Sequence, residues 1–318
     1  MTRRAPSRRP QQGAALLLAM LTAALVATIA ATASWRIWQI SEVEAAEQNR
    51  AQMQWVLQGA LDWARLLLRE DARANLRDKV DHLNEPWALP LQEARLSTFL
   101  AAQDQASAQA EINDAFLSGA VIDAQSRFNL NNLWTPQGEA SPADVTTLIR
   151  LCELMQSPAQ PWLAAMQQWD KRDTNTPRPL PAQRLQDWAR AGVPAALIER
   201  MAPVLTVLPS RTAININTAA AEVLAAVVPG AALADAMQWV RARNLQPYRS
   251  LSDWQTRNPD ARPASPDAVA TWSDYFEVTG HLRLGRHGVI ETSLLQRKNL
   301  QVEVVWRQRQ RSSQPLRP

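Results

Sequence analysis

An uncharged stretch near the N-terminus constrains the chain more than any other feature. No Asp, Glu, Lys or Arg occurs from Pro10 to Trp35, and the core of the stretch, Ala14–Ser34, consists of apolar and small residues. These 21 residues would rise about 31 Å in a helix, which matches the roughly 30 Å apolar core of a bilayer. The sequence therefore predicts one membrane-spanning helix at residues 14–35.

Charge is distributed unevenly around that helix. Four of the 34 basic residues precede it, and the remaining 30 balance 30 acidic residues. The four are Arg3, Arg4, Arg8 and Arg9. Positively charged flanks stay in the cytoplasm, so the N-terminus is predicted to be cytoplasmic and the bulk of the chain periplasmic. A cleaved secretory signal is the alternative, but the apolar run exceeds the usual length of about 7–15 residues, and no clear A-x-A site separates it from a different, polar mature start.

The helical pattern continues beyond the predicted span. No proline occurs between Trp35 and Pro86, and apolar residues recur at helical spacing up to about Leu76. One helix is therefore predicted from Ala14 to Leu76, with residues 36–76 outside the membrane. Its apolar stripe is predicted to contact partner helices through Val56, Leu57, Ala60 and Ala64.

The remainder alternates between strand and helix patterns. Residues 77–135 are predicted to form a loop, a short helix at 91–103 and the first strands. Residues 136–270 show helical spacing, with helices predicted at 141–155, 161–169, 182–191, 194–204, 219–227, 232–243 and 251–257. Residues 271–311 alternate as three strands with tight turns, and 312–318 form a frayed tail. The fold class is therefore α+β, with a helical insertion inside a β framework.

The N-terminus resembles that of type IV pilins and pseudopilins, with a basic leader and a glycine before a retained apolar helix. The resemblance implies that a prepilin peptidase removes leader residues 1–13 by cutting between Gly13 and Ala14, and that Ala14 is then methylated. Most pilins carry Glu at the fifth mature position, where this chain has Leu18. A subunit at the end of a filament needs no such counter-charge for a neighbour's amine.

Two internal motifs narrow the resemblance. Residues 121–133 end in an Asn-Leu-Asn-Asn-Leu run, and residues 214–224 contain Asn215-Ile-Asn-Thr-Ala219. Both resemble the minor pseudopilin K family of type II secretion systems. The resemblance implies a type IV pilin-like fold, with a long helix on a small antiparallel sheet and an all-α insertion containing helix-hairpin-helix or SAM-like units.

The same resemblance implies a role. The protein would lie at the tip of a periplasmic pseudopilus, initiate its assembly and help to export folded proteins across the outer membrane. It would bind minor pseudopilins of the I and J types, the prepilin peptidase and the inner-membrane secretion platform. It would be a single-pass protein of the inner membrane.

Calcium is the one cofactor that the resemblance brings in. The family's soluble domain binds calcium through acidic loops, and the segment Trp169-Asp-Lys-Arg-Asp173 matches the skeleton of such a loop. Asp170 and Asp173 are the predicted metal ligands, and a solvated charged loop is the alternative. Pro177–Pro181 replaces the Gly-Ala-Glu run that the family pattern has next.

Other function classes are disfavoured by the sequence. It contains one cysteine, three histidines and no G-x-S-x-G, H-E-x-x-H or phosphate-loop motif, so no enzyme activity is predicted.

Residues 219–243 form a helix–hairpin–helix pattern, and a membrane-tethered, competence-type DNA-binding pseudopilin is the alternative function. No nucleic acid is expected, because the hairpin has no Lys or Arg and residues 136–270 carry 13 basic and 12 acidic residues. Asn217 or Thr218 is predicted instead to cap the helix at 219–227.

Overall fold

The computed structural model describes residues 12–95, 115–170, 181–284 and 287–312. The chain divides into two compact units, Met1–Val56 and Leu57–Pro318. Helix α1 runs without a break from Gln12 to Ala74, as the sequence predicts to within two residues at each end. The leader up to residue 11 and the tail beyond Ser312 lie outside the described residues.

The first unit is the N-terminal part of α1. Residues Ala15–Glu44 are long and apolar enough to cross a membrane. Thr22, Thr28 and Thr32 each donate a hydroxyl hydrogen bond to the carbonyl three residues earlier, over 2.8–3.0 Å. Their polar groups are thereby satisfied within the helix, which an apolar solvent requires. This segment has the properties of a single membrane anchor.

The second unit contains a five-stranded antiparallel sheet in the order β1-β2-β7-β8-β9. Its strands are β1 Leu91–Arg95, β2 Ala115–Asp123, β7 Tyr275–Leu284, β8 His287–Lys298 and β9 Gln301–Ser312. The predicted C-terminal three-stranded meander is confirmed by the pairing of β7 with β8 and of β8 with β9. The short helix predicted at 91–103 is wrong over Leu91–Arg95, because pairing with β2 overrides the local helix propensity.

The C-terminal part of α1 packs on one face of this sheet. The core between them is formed by Leu61, Ala64, Leu68, Trp87, Phe276, Val278, Leu295 and Val302. The helix approaches β7 closely at Gly280, where an added Cβ would lie 3.3 Å from Cδ2 of Leu57. A larger residue at this position would force the helix or the leucine to move.

A helical insertion lies between β2 and β7 in the chain. Its helices are α2 Pro142–Leu154, α3 Gln160–Asp170, α4 Ala195–Met201, α5 Ala221–Val227, α6 Leu233–Leu245 and α7 Leu251–Arg257. A 3-10 helix at Leu185–Ala191, ended by Gly192 with φ of 91°, stands where the sequence predicts a helix at 182–191. Two parallel pairs of two-residue strands also occur, β3 Phe128–Asn129 with β4 Leu205–Thr206 and β5 Ile214–Asn215 with β6 Val269–Ala270. They are too short to give an alternating sequence pattern.

The other face of the sheet meets the insertion. Tyr275 and Leu294 are buried there together with Leu208. The guanidinium of Arg184 lies 5.2 Å from the ring centroid of Trp306 on β9. Neighbouring residues of a strand point to opposite faces of the sheet. Strands β7, β8 and β9 therefore contribute side chains to two hydrophobic cores, one shared with α1 and one shared with the insertion.

Candidate functional site

A buried carboxylate at the end of β2 joins the sheet to the insertion. Asp123 is 1% exposed. It accepts hydrogen bonds from the backbone N–H of Gln125 at 2.8 Å, Nδ2 of Asn215 at 2.9 Å and the hydroxyls of Thr218 and Ser273 at 2.5 and 2.7 Å. Burial raises the pKa of Asp123 to about 6, although the two hydroxyl hydrogen bonds oppose this shift. One side chain thereby joins three parts of the chain: the end of β2, the segment 215–218 and Ser273.

The Asn-x-Asn-Thr motif supplies this junction rather than a helix cap. Helix α5 begins at Ala221, after Ala220, and no side chain caps it. Asn217 instead exchanges two hydrogen bonds of 2.9 Å with the backbone N–H and C=O of Tyr248. The prediction that Asn217 or Thr218 caps this helix is therefore wrong, because both side chains bind distant segments.

The Asn-Leu-Asn-Asn-Leu run has a similar role. Asn129 donates to the carbonyl of Ser210 at 2.7 Å and accepts from the backbone N–H of Leu208 at 3.0 Å. Asn132 donates to the carbonyl of Thr212 at 2.8 Å and accepts from its N–H at 3.0 Å. Each amide pairs with one donor and one acceptor of the backbone at 208–212, so the run holds this segment of the insertion next to the end of β2.

A second buried cluster joins the end of α1 to the sheet. Arg297 on β8 donates to Asp71 at 2.8 Å, to Asp81 at 2.6 Å and to the carbonyl of Ser273 at 2.8 Å. Its guanidinium also lies 4.7 Å from the ring centroid of Phe276. The N–H of Ser273 donates to Asp81 at 2.7 Å, so this cluster is continuous with the Asp123 junction.

The carboxylates outnumber the guanidinium in this cluster. Oxygens of Asp71, Asp81 and Glu85 lie within 4.8 Å of one another. Glu85 accepts from Nδ2 of Asn75 at 2.9 Å and from the indole N–H of Trp87 at 2.7 Å. Burial, and then the charges of Glu85 and Asp81, raise the pKa of Asp71 to about 7. Because each carboxyl already has protein donors, the cluster functions as a structural ion network.

Four predicted partner contacts lie on α1, and the structure separates them. Leu57 is 2% exposed and Ala64 is 5% exposed, both packed within the chain's own fold. Val56 and Ala60 are half-buried. Leu57 and Ala64 therefore contact the chain's own sheet, and partner contacts at the four residues stay a prediction.

An apolar groove lies beside these residues, between α1 and the β1–β2 edge of the sheet. It encloses about 300 Å³. Its rim carries Trp63, Leu89 and Leu91, which are 43%, 70% and 41% exposed. Contiguous exposed apolar groups of this kind are typical of interaction sites. The sequence pattern did not single out Trp63, because the whole apolar stripe of α1 was predicted to contact partners. In the structure the sheet covers one side of this stripe and leaves the side with Trp63 exposed.

The remaining predicted site residues fall at the margins of what the structure describes. Gly13 and Ala14 belong to the first turn of α1, and Leu18 is 66% exposed. Asp170 is the last residue of α3, while Asp173 lies outside the described residues. A calcium site at Asp170 and Asp173 therefore stays a prediction.

The helix–hairpin–helix pattern corresponds to α5, α6 and the turn between them. Arg150 on α2 donates to the carbonyl of Val228 at 2.7 Å and to that of Ala231 at 3.0 Å. The cation next to the hairpin is therefore turned inward to the hairpin's own carbonyls. Nucleic-acid binding by such a unit requires cations directed at phosphate, so this geometry gives the DNA-binding alternative no support.

Comparisons with known proteins agree with the motifs. The family model described as type II secretion system (T2SS), protein K matches residues 214–271, which contain the Asn-x-Asn-Thr motif. Type II secretion system protein K of Klebsiella pneumoniae is 28% identical over 93% of this chain and 96% of its own length. The Pseudomonas aeruginosa protein K is 27% identical, covering 91% and 90%. The chain is a relative of type II secretion system protein K.

A similar fold occurs in a solved structure. The crystal structure of the GspK-GspI-GspJ complex from the enterotoxigenic Escherichia coli type 2 secretion system contains a chain that superimposes with a TM-score of 0.65. The match covers 84% of this chain and 99% of that one, at 20% sequence identity. This likeness confirms a fold with a long N-terminal helix and an antiparallel sheet.

These relatives define the class of function. Protein K is a structural minor pseudopilin of the type II secretion system, and not an enzyme. The predicted family, the predicted class and the assignment to protein secretion are therefore confirmed. The junctions around Asp123 and Arg297 fit a structural protein, because they hold the insertion and α1 on one sheet.

Proposed function

We propose that the protein lies at the tip of the type II secretion pseudopilus, where it initiates assembly and helps to export folded proteins across the outer membrane. The observation that carries this proposal is the attachment of the insertion to the pilin-like sheet. Asp123, Asn215 and Ser273 bind one another across segments that are 92 and 150 positions apart in the chain, with all three side chains buried. A subunit within a filament is contacted from above and below, and an insertion fixed in this way would obstruct the next subunit. At the end of the filament this obstruction is absent.

Leu18 supports the same position. A free N-terminal amine buried in an apolar filament core needs a carboxylate nearby. Leu18 stands at the place where most pilins provide one, counted from a mature start at Ala14. The subunit at the tip has no neighbour above it whose amine it must neutralise.

The N-terminal helix defines the membrane part of the proposal. The protein would be inserted in the inner membrane with residues 1–13 in the cytoplasm, where the prepilin peptidase cuts after Gly13 and methylates Ala14. The Gly13–Ala14 bond lies in the first turn of α1. The first four N–H groups of a helix have no intrahelical partner, so this turn can open readily into a protease cleft.

Partner binding follows from the exposed surface of the second unit. The protein would bind minor pseudopilins of the I and J types and the inner-membrane platform. The first pair agrees with the solved GspK-GspI-GspJ complex, which contains a chain of similar fold. Trp63, Leu89 and Leu91 at the rim of the groove are the side chains available for an apolar helix of a partner. Helix pairs of this kind are stabilised by burial of about 25 cal/mol per Å² of apolar surface.

Cross-linking in cells tests the position. A photo-reactive amino acid at Met237 on α6, which is 45% exposed, would report neighbours of the insertion, and one at Trp63 would report neighbours of α1. The proposal predicts no major-subunit adducts at Met237 and minor-pseudopilin adducts at Trp63. Regular spacing of the protein along sheared filaments would contradict the proposal.

A further inference from the structure

The outer edge of the sheet is unpaired over an unusual length. Strand β9 comprises Gln301–Ser312 and pairs with β8 on one side only, among the residues that the structure describes. Twelve residues is about twice the usual strand length, whereas sheet edges that proteins protect from other chains are often very short. An unpaired edge of this kind offers a row of backbone N–H and C=O groups to another chain.

A bulge divides the edge into two parts. Val304 pairs with Leu295 and Trp306 pairs with Leu294, so Val305 is the extra residue. From Trp306 to Ser312 the register is then regular, ending at the pair of Ser312 with Gly288. These seven residues extend about 20 Å and form an uninterrupted template for a further strand.

The regular part of the edge is basic. Its sequence, Trp-Arg-Gln-Arg-Gln-Arg-Ser, contains three arginines and no acidic residue. Arg307, Arg309 and Arg311 alternate, so they share one face of the sheet. The carboxylate opposite them is Glu291, which is 3% exposed and pairs with Arg307 at 3.4 Å and with Arg309 more closely. Asp62 on α1 also interacts with Arg307 but is paired with Arg65. The three guanidinium groups therefore still outnumber the carboxylates available to them on that face.

We propose that the edge of β9 over Trp306–Ser312 binds an extended segment of another protein that carries acidic residues at alternate positions. The backbone of that segment would continue the sheet as a sixth strand, with main-chain hydrogen bonds giving affinity. Its carboxylates would lie beside Arg307, Arg309 and Arg311, and like charges at those positions would be repelled. The proposal concerns a surface distinct from the Trp63 groove and does not depend on position in the pseudopilus.

Peptide binding to the detergent-solubilised full chain tests this proposal. The probe is a fluorescent seven-residue peptide with Glu at its second, fourth and sixth positions and Val or Thr elsewhere, compared with Gln and Lys versions. The Glu peptide should bind, the Lys peptide should not, and affinity should fall as salt is raised. Absence of measurable binding by the Glu peptide at millimolar concentration would overturn the proposal.

Two controls separate strand addition from general attraction to a basic surface. Backbone N-methylation on either the odd or the even residues blocks one edge of the peptide, so one methylated form should lose binding at least ten-fold and the other should retain it. Arg311→Glu should weaken the Glu peptide about three-fold and favour the Lys peptide, while Arg249→Glu, a charge reversal at another exposed site, should change neither. Equal binding of both methylated forms, or equal effects of the two charge reversals, would exclude strand addition at β9.

Discussion

Both carboxylate oxygens of Asp81 lie 2.6 Å from one guanidinium nitrogen of Arg297. Asp81 follows α1 in the chain, whereas Arg297 is on β8, so this pair fastens the end of the long helix to the sheet. The side chains of both are nearly inaccessible to solvent. Breaking a buried pair leaves an uncompensated charge in a medium of low dielectric constant.

Replacement of Arg297 should therefore destabilise the fold strongly. Arg297→Met keeps much of the apolar stem on Phe276 but leaves Asp71 and Asp81 without their guanidinium. We expect the free energy of unfolding at pH 7.5 to fall by about 3–5 kcal/mol, measured by urea denaturation of the full chain in detergent. Arg73→Met is the matched control, because Arg73 pairs with Glu70 on the exposed surface and should cost less than about 1 kcal/mol. Equal losses in the two variants would contradict a buried ion network.

The raised pKa of Asp71 predicts a pH dependence of definite sign. The pKa of Asp71 is about 7 in the folded state, against an ordinary value of 3.8. The folded state therefore binds more protons than the unfolded state between those values, and stability from this group falls as pH rises from about 4 to about 7. Asp123, with a pKa raised to about 6, acts in the same direction.

Substitution of Asp71 isolates its share of this dependence. Asp71→Asn should melt at a higher temperature than wild type at pH 7.5 and near the same temperature at pH 5, so its melting temperature should change less across that range. Asp78→Asn, a nearby exposed position, should follow the wild-type curve. The same pH dependence in Asp71→Asn and wild type would show that another group is responsible.

Loss of Asp123 should loosen the insertion. Asp123→Ala removes the acceptor shared by Asn215, Thr218 and Ser273, and each buried donor left unpaired costs about 1–3 kcal/mol. We expect a total loss of about 3 kcal/mol, with protease cleavage appearing first between the sheet and the insertion. Asp260→Ala alters an exposed carboxylate and should leave both stability and the cleavage pattern unchanged.

The sequence predicts elements well where one periodicity extends over many residues. Helix α1 and the meander β7–β9 follow from spacings of 3.6 and 2 residues, and helix α7 at Leu251–Arg257 matches its predicted bounds. Strand β1 does not follow, because its conformation depends on pairing with β2, which is distant in the chain. Local propensity contains no information about such a partner.

The buried junctions were harder to predict for a similar reason. Asn217 and Thr218 have the composition of a helix cap, and only the positions of Tyr248 and Asp123 show that they bind elsewhere. Arg297 did carry a signal, since it shares the core-facing side of β8 with Leu295, two residues earlier. A charged residue on the core-facing side of a strand predicts a buried partner of opposite charge, but the sequence does not identify that partner.

Trp63 and Leu57 should have opposite phenotypes, although both lie on α1. Leu57 is 2% exposed, so Leu57→Ala should lower the free energy of unfolding by about 2–5 kcal/mol through lost burial and a cavity. Trp63 is 43% exposed at the rim of the groove, so Trp63→Ala should leave the melting temperature almost unchanged. It should instead reduce co-purification of other minor pseudopilins. Normal co-purification by a folded Trp63→Ala protein would remove the groove from the partner interface.

Processing at Gly13 provides a test that is independent of the folded body. A protease that cuts after glycine in a narrow cleft excludes a side chain at that position, so Gly13→Ala should keep the leader and its four arginines on the protein. Intact mass spectrometry should find wild type beginning at a methylated Ala14 and the variant beginning at Met1. Gly59→Ala is the matched control in the same helix, because no atom lies within 4 Å of the Cβ it would add, and it should be processed normally. A wild-type start near residue 35 would instead indicate a secretory signal, and the chain would then lose the anchor on which assembly into a pseudopilus depends.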